Sequence, residues 1–276
     1  MDDEARYKES LQESLLADGW EEVFDHSSWQ AWVKENRERL TRLATATAGA
    51  DSRELEQRFA EVVEKFQPQT RFDLPTTEGI FRPLFEDVLE AAWSVGLQPI
   101  RKIELVTSTS IGPSPLARPT TGTHQLFVGP GTSAFCNYWA KALTAIVRSI
   151  ADAGPLHERV ASLEDLIERT RHNPSGLIAA ARLSLHYSVF GTVLGFGQYV
   201  QPPSYLPYRL ELLRAMEIFA LAHEYAHFVA EERQLRFSER DGHSSDHALE
   251  LFCDELGLQI SREWANRNDS WLAFSG

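Results

Sequence analysis

Apolar residues recur at helical spacing along most of this chain, and only two short stretches have the texture of strands. Residues 4–17 carry Leu11, Leu15 and Leu16 on such a spacing. Trp29, Trp32, Val33, Leu40 and Leu43 predict a second helix, with the tryptophans as packing residues. Leu55, Phe59, Val62, Val63 and Phe66 predict a third, capped by Asp51 or Ser52 and stopped before Pro68. The ATATAGA run at 44–50 between them reads as a linker. A further helix is expected over 76–95, opened by Thr76 or Thr77 and closed near Gly96.

The texture then changes. IRKIELVTSTS at 100–110 is rich in β-branched residues and predicts a strand. IGPSPLARPTTG at 111–122 predicts a loop, and HQLFVG at 124–129 a second strand stopped by Pro130 and Gly131. Helical patterns return from Ser133 to about Ala153, then at 158–170, 174–194, 207–232 and 245–265. The expected fold class is α+β, mostly helical with a small sheet. Residues 1–70 form an N-terminal helical region and 71–276 the domain that carries the chemistry.

That chemistry is concentrated in LAHEYAHFVAEE at 221–232. His223 and His227 stand one helical turn apart, so both imidazoles can reach one ion. Glu224 points a quarter-turn away, where a carboxylate can serve as general base without ligating. Zinc would supply Lewis acidity and lower the pKa of the attacking water, and Glu224 would take the proton and pass it to the leaving amine. Leu212, Met216, Phe219 and Ala220 share the histidine face, while Ile218, Leu221 and Phe228 lie opposite. A helix apolar nearly all round is buried, and buried histidines need partners or a metal.

A catalytic zinc takes three protein ligands and keeps a fourth position open. SSDHALELFCDELG at 244–257 restarts a helix, capped by Ser244 or Ser245, with Asp246 in its first turn. Glu250 and Asp254 share one face of it, with His247 three residues before Glu250. The neighbours Leu249, Leu251, Phe252 and Leu256 predict a buried Glu250 that needs a partner.

HEYAH followed by Glu250-Leu-Phe-Cys-Asp254 resembles the HExxH…ExxxD pattern of gluzincin metallopeptidases, in the style of HtpX-like, ImmA/IrrE-like and Lit-like phage-exclusion proteins. The likeness covers about residues 100–265. It implies a compact zincin-like core, with His223, His227 and Glu250 as Zn2+ ligands, Glu224 as base and Asp254 orienting a ligand histidine. It also implies an edge strand bordering the cleft. The strand at 124–129 is the expected edge, with Leu126 and Val128 as the substrate-binding positions. Cys253, three after Glu250, is read as a core cysteine and not a ligand. His247 is the expected oxyanion partner, ahead of His243, Tyr205 and Tyr208, and His186 is read as a buried, bonded histidine. Ser133 and Cys136 are read as cap and core.

Charge narrows the partners. With a net charge of −13 the chain is not expected to bind nucleic acid or a membrane. No apolar run approaches the roughly 20 residues of a membrane span. The N-terminus is polar and acidic, and the two cysteines suit a reducing compartment, so a cytoplasmic address is expected. The expected activity is zinc-dependent endopeptidase action on a protein or peptide substrate, with the N-terminal helices available to a regulatory partner. The alternative is a catalytically silent zinc-containing helical binding module. An intact Glu224 argues against it, because metal binding alone does not require that carboxylate.

Overall fold

The computed structural model describes residues 3–14, a few positions between 31 and 38, and residues 70–150, 163–172, 174–197, 201, 203–235, 245–268 and 270. The helices expected around Trp29 and Leu55 and the linker at 44–50 fall mostly or wholly outside the described residues. The architecture is mostly helical with one small sheet. In chain order it comprises α1 (Asp3–Ser14), α2 (Pro75–Ser94), β1 (Ile103–Thr107), β2 (Leu116–Arg118), β3 (His124–Val128), α3 (Pro130–Ile150), α4 (Leu163–His172), α5 (Ser175–Phe190), α6 (Leu206–Glu232) and α7 (Ser245–Arg267). Helix α2 starts on Pro75, whose missing N–H costs nothing in a first turn, so neither threonine caps it. It closes at Gly96, whose φ of 75° suits a residue without a Cβ.

Strand order is β1-β3-β2, with β3 parallel to β1 and antiparallel to β2. The segment expected to be wholly loop therefore contains a three-residue strand framed by Pro115 and Pro119, and it is this strand that forms the edge. The chain reverses from β3 into α3 against the loop after β1. A Cβ on Gly129 would lie 2.2 Å from the Ser110 carbonyl oxygen, so only glycine allows that approach.

Helix α6 runs through the centre of the molecule. Ile218, Leu221, Tyr225 and Phe228 are fully buried against Phe81 and Val88 of α2, Leu126 of β3 and Ile260 of α7. Each such side chain contributes about 1.5–3 kcal/mol by leaving water. The C-terminal end of α6 is tied to the sheet through Glu232, which accepts the backbone N–H groups of Ile100 (2.5 Å) and Arg101 (2.7 Å). His124 accepts the Thr120 N–H on Nδ1 at 3.1 Å, so its Nε2 carries the proton and donates to Glu232 at 3.1 Å. Its ring stacks on Phe228 with centroids 4.8 Å apart. Helix α1 is bonded to the end of β1: Gln12 Nε2 donates to Asp73 (2.9 Å) and to the Thr107 carbonyl (2.5 Å), and accepts from Thr70 on Oε1 (2.6 Å). No helix among the described residues is long and apolar enough to cross a membrane.

Candidate metal centre

The floor of the site is the second half of α6. His223 and His227 project from adjacent turns with ring centroids 5.2 Å apart. Helix α7 packs across α6 at this point. A Cβ on Gly257 would lie 3.2 Å from the His223 backbone nitrogen and 3.3 Å from the Phe219 ring, so the two helices are in close contact there. Asp254 and Glu250, three and seven residues earlier on the same face of α7, are thereby directed at the same histidine.

The geometry divides His223 between two carboxylates. Its Nδ1 lies 2.9 Å from Asp254 Oδ1, and its Nε2 lies 3.2 Å from Glu250 Oε2. The other Glu250 oxygen is 3.7 Å from His227 Nε2. Ligands at zinc bond lengths around a tetrahedral ion sit about 3.3 Å apart, and Glu250 lies near that distance from both histidines, though with a different oxygen towards each. Ligand atoms of His223, Glu224 and His227 also lie within 4.8 Å of one another. Burial, joined by the nearby His223, lowers the His227 pKa despite Glu250, favouring the neutral imidazole that binds metal.

Glu224 is buried, and its Oε2 accepts the backbone N–H of Ala117 at 2.7 Å. Burial pushes its carboxyl up to about 7, opposed by that N–H and by His223 and reinforced by Glu250. Since the Ala117 N–H faces α6, the carbonyl of the same extended residue also points away from β3 and towards the cleft. The cleft measures about 1130 Å³. Pro113, Pro115 and Leu116 line it along the edge strand, Phe135 and Tyr187 come from α3 and α5, Leu212, Met216 and Phe219 from α6, and Leu249 and Leu258 from α7.

Several expectations are corrected here. Leu126 and Val128 are 0% and 1% exposed on the central strand β3, which is paired on both sides, so neither can line a substrate. Glu250 is not buried: its side chain is 54% exposed and Leu251 beside it is 51% exposed, because this face of α7 overhangs the cleft. His247 lies in the exposed first turn of α7 and, like Tyr205 and Tyr208, does not line the cleft. His243 lies outside the described residues. His186 packs between Phe190 and Phe196 with its Nε2 buried and unbonded, away from the metal site. Cys253, by contrast, lies in the core as expected: it is fully buried, and burial followed by the surrounding carboxylates pushes its thiol up to about 12, which keeps it neutral.

Three contributors escaped the sequence reading. Ala117 acts through its backbone, which no side-chain motif reports. Tyr187 was overlooked beside His186. Gly257 did carry a signal, as a glycine in mid-helix seven residues after Glu250.

One turn outside this cluster, Glu217 is buried and accepts the Ser133 hydroxyl at 2.7 Å. Ser133 is thus a donor to a buried carboxyl. Burial pushes Glu217 up to about 7, only partly held down by Ser133 and Arg214. The folded chain therefore keeps this proton across a window where the unfolded chain has released it. The contribution to stability falls as pH rises from the ordinary carboxylate value to about 7. Glu217→Gln is expected to raise unfolding free energy by on the order of 1–3 kcal/mol near pH ~8 and to change it little near pH ~4. Urea unfolding at both pH values checks the difference.

No protein-family model, no curated protein and no solved structure matches this chain.

Proposed function

We propose that this protein is a zinc-dependent endopeptidase of gluzincin type, cutting a peptide bond in a protein substrate. The observation that carries this reading is the convergence on His223, whose two ring nitrogens face Asp254 and Glu250 from two turns of α7 while His227 meets the same Glu250. His223, His227 and Glu250 would hold the ion, and Asp254 fixes the ring of His223 with Nε2 directed at it. Zinc, when bound, would polarise the scissile carbonyl and acidify the attacking water.

The chain's own groups do the rest. Glu224, held by the Ala117 N–H, takes the proton of the attacking water and delivers it to the leaving nitrogen. The edge strand β2 offers the Ala117 carbonyl to a substrate N–H, which holds an extended chain beside Glu224. Phe135, Met216 and Phe219 give the cleft apolar walls beside the charged groups.

Purified protein is expected to hold about one zinc per chain, as three-ligand sites do. His223→Ala, His227→Ala and Glu250→Ala should each remove most of it. Asp254→Asn should weaken affinity by about 10–100-fold, and Cys253→Ser should leave it unchanged. Metal analysis and zinc titration read the outcome. Loss of zinc with Cys253→Ser and retention with Glu250→Ala would overturn the assignment. Zinc bound without cleavage of any peptide would support the silent binding module instead.

A further inference from the structure

The cleft differs on the two sides of its histidines. Helix α7 runs antiparallel to α6: Gly257 meets His223 and Phe219, and Ser270 beyond its end donates to Glu211. Arg262, eight residues after Asp254, therefore lines the cleft about 12 Å along the groove from His223, towards the start of α6. The walls on that side are apolar. Phe219 comes first, its ring 6.3 Å from that of His223, then Met216, with Phe135 and Tyr187 joined edge to face at 5.4 Å. On the other side of the histidines the lining is Glu231, one turn beyond His227, with Gln234 and Leu235. Arg262 is the only lysine or arginine among the described residues that line the cleft. Both Arg262 and Glu231 are exposed, and neither has an ion-pair partner among the described residues.

The sheet gives the groove a direction. Strand β2 pairs Arg118 with Gln125, beside His124, which bonds Glu232 at the end of α6. It pairs Leu116 with Phe127, at the end of β3 that leads into α3 and to the Ser133 bond with Glu217. Strand β2 thus runs the same way as α6. A peptide added to this edge pairs best antiparallel, since parallel pairing is slightly weaker per residue. It then enters over Glu231, passes Glu224 and leaves over Phe219 towards Arg262. Charge agrees with that direction, because a peptide's amino end is cationic and its carboxyl end anionic.

We propose that the cleft selects a charge-polarised peptide, with a basic group at Glu231, a large apolar side chain among Phe219, Met216 and Phe135, and a carboxylate at Arg262. Counting positions from the scissile bond rests on the peptidase reading. Glu231 lies about 6 Å beyond His227, and an extended chain rises about 3.3 Å per residue, so the basic group falls about two residues before that bond. The apolar residue follows within about two residues after it, and the carboxylate about three to four after it. Burial of the apolar side chain supplies most of the affinity, and the two charges fix orientation, because a reversed peptide meets like charge at both ends. The carboxylate can belong to an acidic side chain or to the chain terminus.

The test is fluorescence anisotropy with the full-length Glu224→Gln chain loaded with zinc, so that no peptide is cut. The probes are fluorescein-labelled peptides of about ten residues with blocked ends. The forward peptide carries Lys, Leu and Glu at these spacings among alanines and serines. A second exchanges Lys and Glu, a third replaces Leu with Ala, and a fourth ends in a free carboxylate in place of Glu. The forward peptide is expected to bind about tenfold tighter than the exchanged one, a gap that narrows with added salt. Loss of the leucine should weaken binding by about tenfold. The fourth peptide tells the sources apart: binding equal to the forward one assigns Arg262 to a chain end, and weaker binding to an acidic side chain. Arg262→Glu combined with Glu231→Lys, both at exposed positions, should invert the charge preference while circular dichroism and zinc content stay those of the parent. Equal binding of forward and exchanged peptides, no binding of either, or an unchanged preference in the double variant would overturn the proposal. A forward peptide bound with this preference, yet left intact by the parent chain, would support the polarity of the groove and sink the peptidase reading.

Discussion

Glu224→Gln is expected to lower peptide-bond cleavage by about 10²–10⁴-fold while the zinc content stays that of the parent. Glutamine has the same shape, and its amide oxygen can still accept the Ala117 N–H that holds Glu224 at 2.7 Å. Packing around α6 is therefore preserved, and the metal ligands on either side of position 224 are untouched. What the amide cannot do is take a proton, and the proposed reaction needs one removed from water and returned to nitrogen. The measurement is proteomic: peptides released by the parent and missing with the variant identify both the activity and its substrate. A glutamine variant that cleaves like the parent rules out Glu224 as the base. If parent and variant are equally inactive on every peptide tested, yet both hold zinc, the peptidase reading fails and the metal-binding one survives.

The second large effect is expected at a residue that touches no substrate. Gly257→Val should weaken zinc binding at least as much as loss of Asp254, by about 100-fold or more. A Cβ at this position already meets the His223 backbone at 3.2 Å, and valine adds two methyl groups on the same side. The helices must separate there, at a cost of about 1–3 kcal/mol in overpacking. The carboxylates of Asp254 and Glu250 ride on α7 and would retreat from His223 together. Glycine in mid-helix otherwise costs about 1 kcal/mol relative to alanine, so its place in α7 is explained by this contact. Zinc titration of Gly257→Val against Leu258→Ala, an exposed neighbour, separates helix displacement from general weakening. Zinc affinity equal to the parent in Gly257→Val would show that α7 does not position the ligands.

The two results bear on different links of one chain. Glu224 tests the proton transfer alone, and Gly257 tests whether the packing of α6 on α7 builds the ligand set.

The sequence by itself determined what depends on neighbours within one helix. Apolar spacing placed α2, α3, α5, α6 and α7 close to their observed bounds, because a buried stripe repeats every few residues wherever the helix packs. It put His223 and His227 on one face and Glu224 beside them for the same reason, and Glu250 with Asp254 on one face of α7. Tertiary structure decided everything that needs two separate segments. Which strand is the edge follows from the order β1-β3-β2, and a three-residue strand between prolines has too few positions to show any period, so the edge position expected of Leu126 and Val128 belongs to β2 and Ala117 instead. Glu250 turned out exposed because the apolar neighbours that suggested burial do not all face the core: Leu251 is 51% exposed. The bond from Ala117 to Glu224 joins residues 107 apart through a backbone N–H, a group every residue but proline carries, so only the packing of β2 over α6 could single it out.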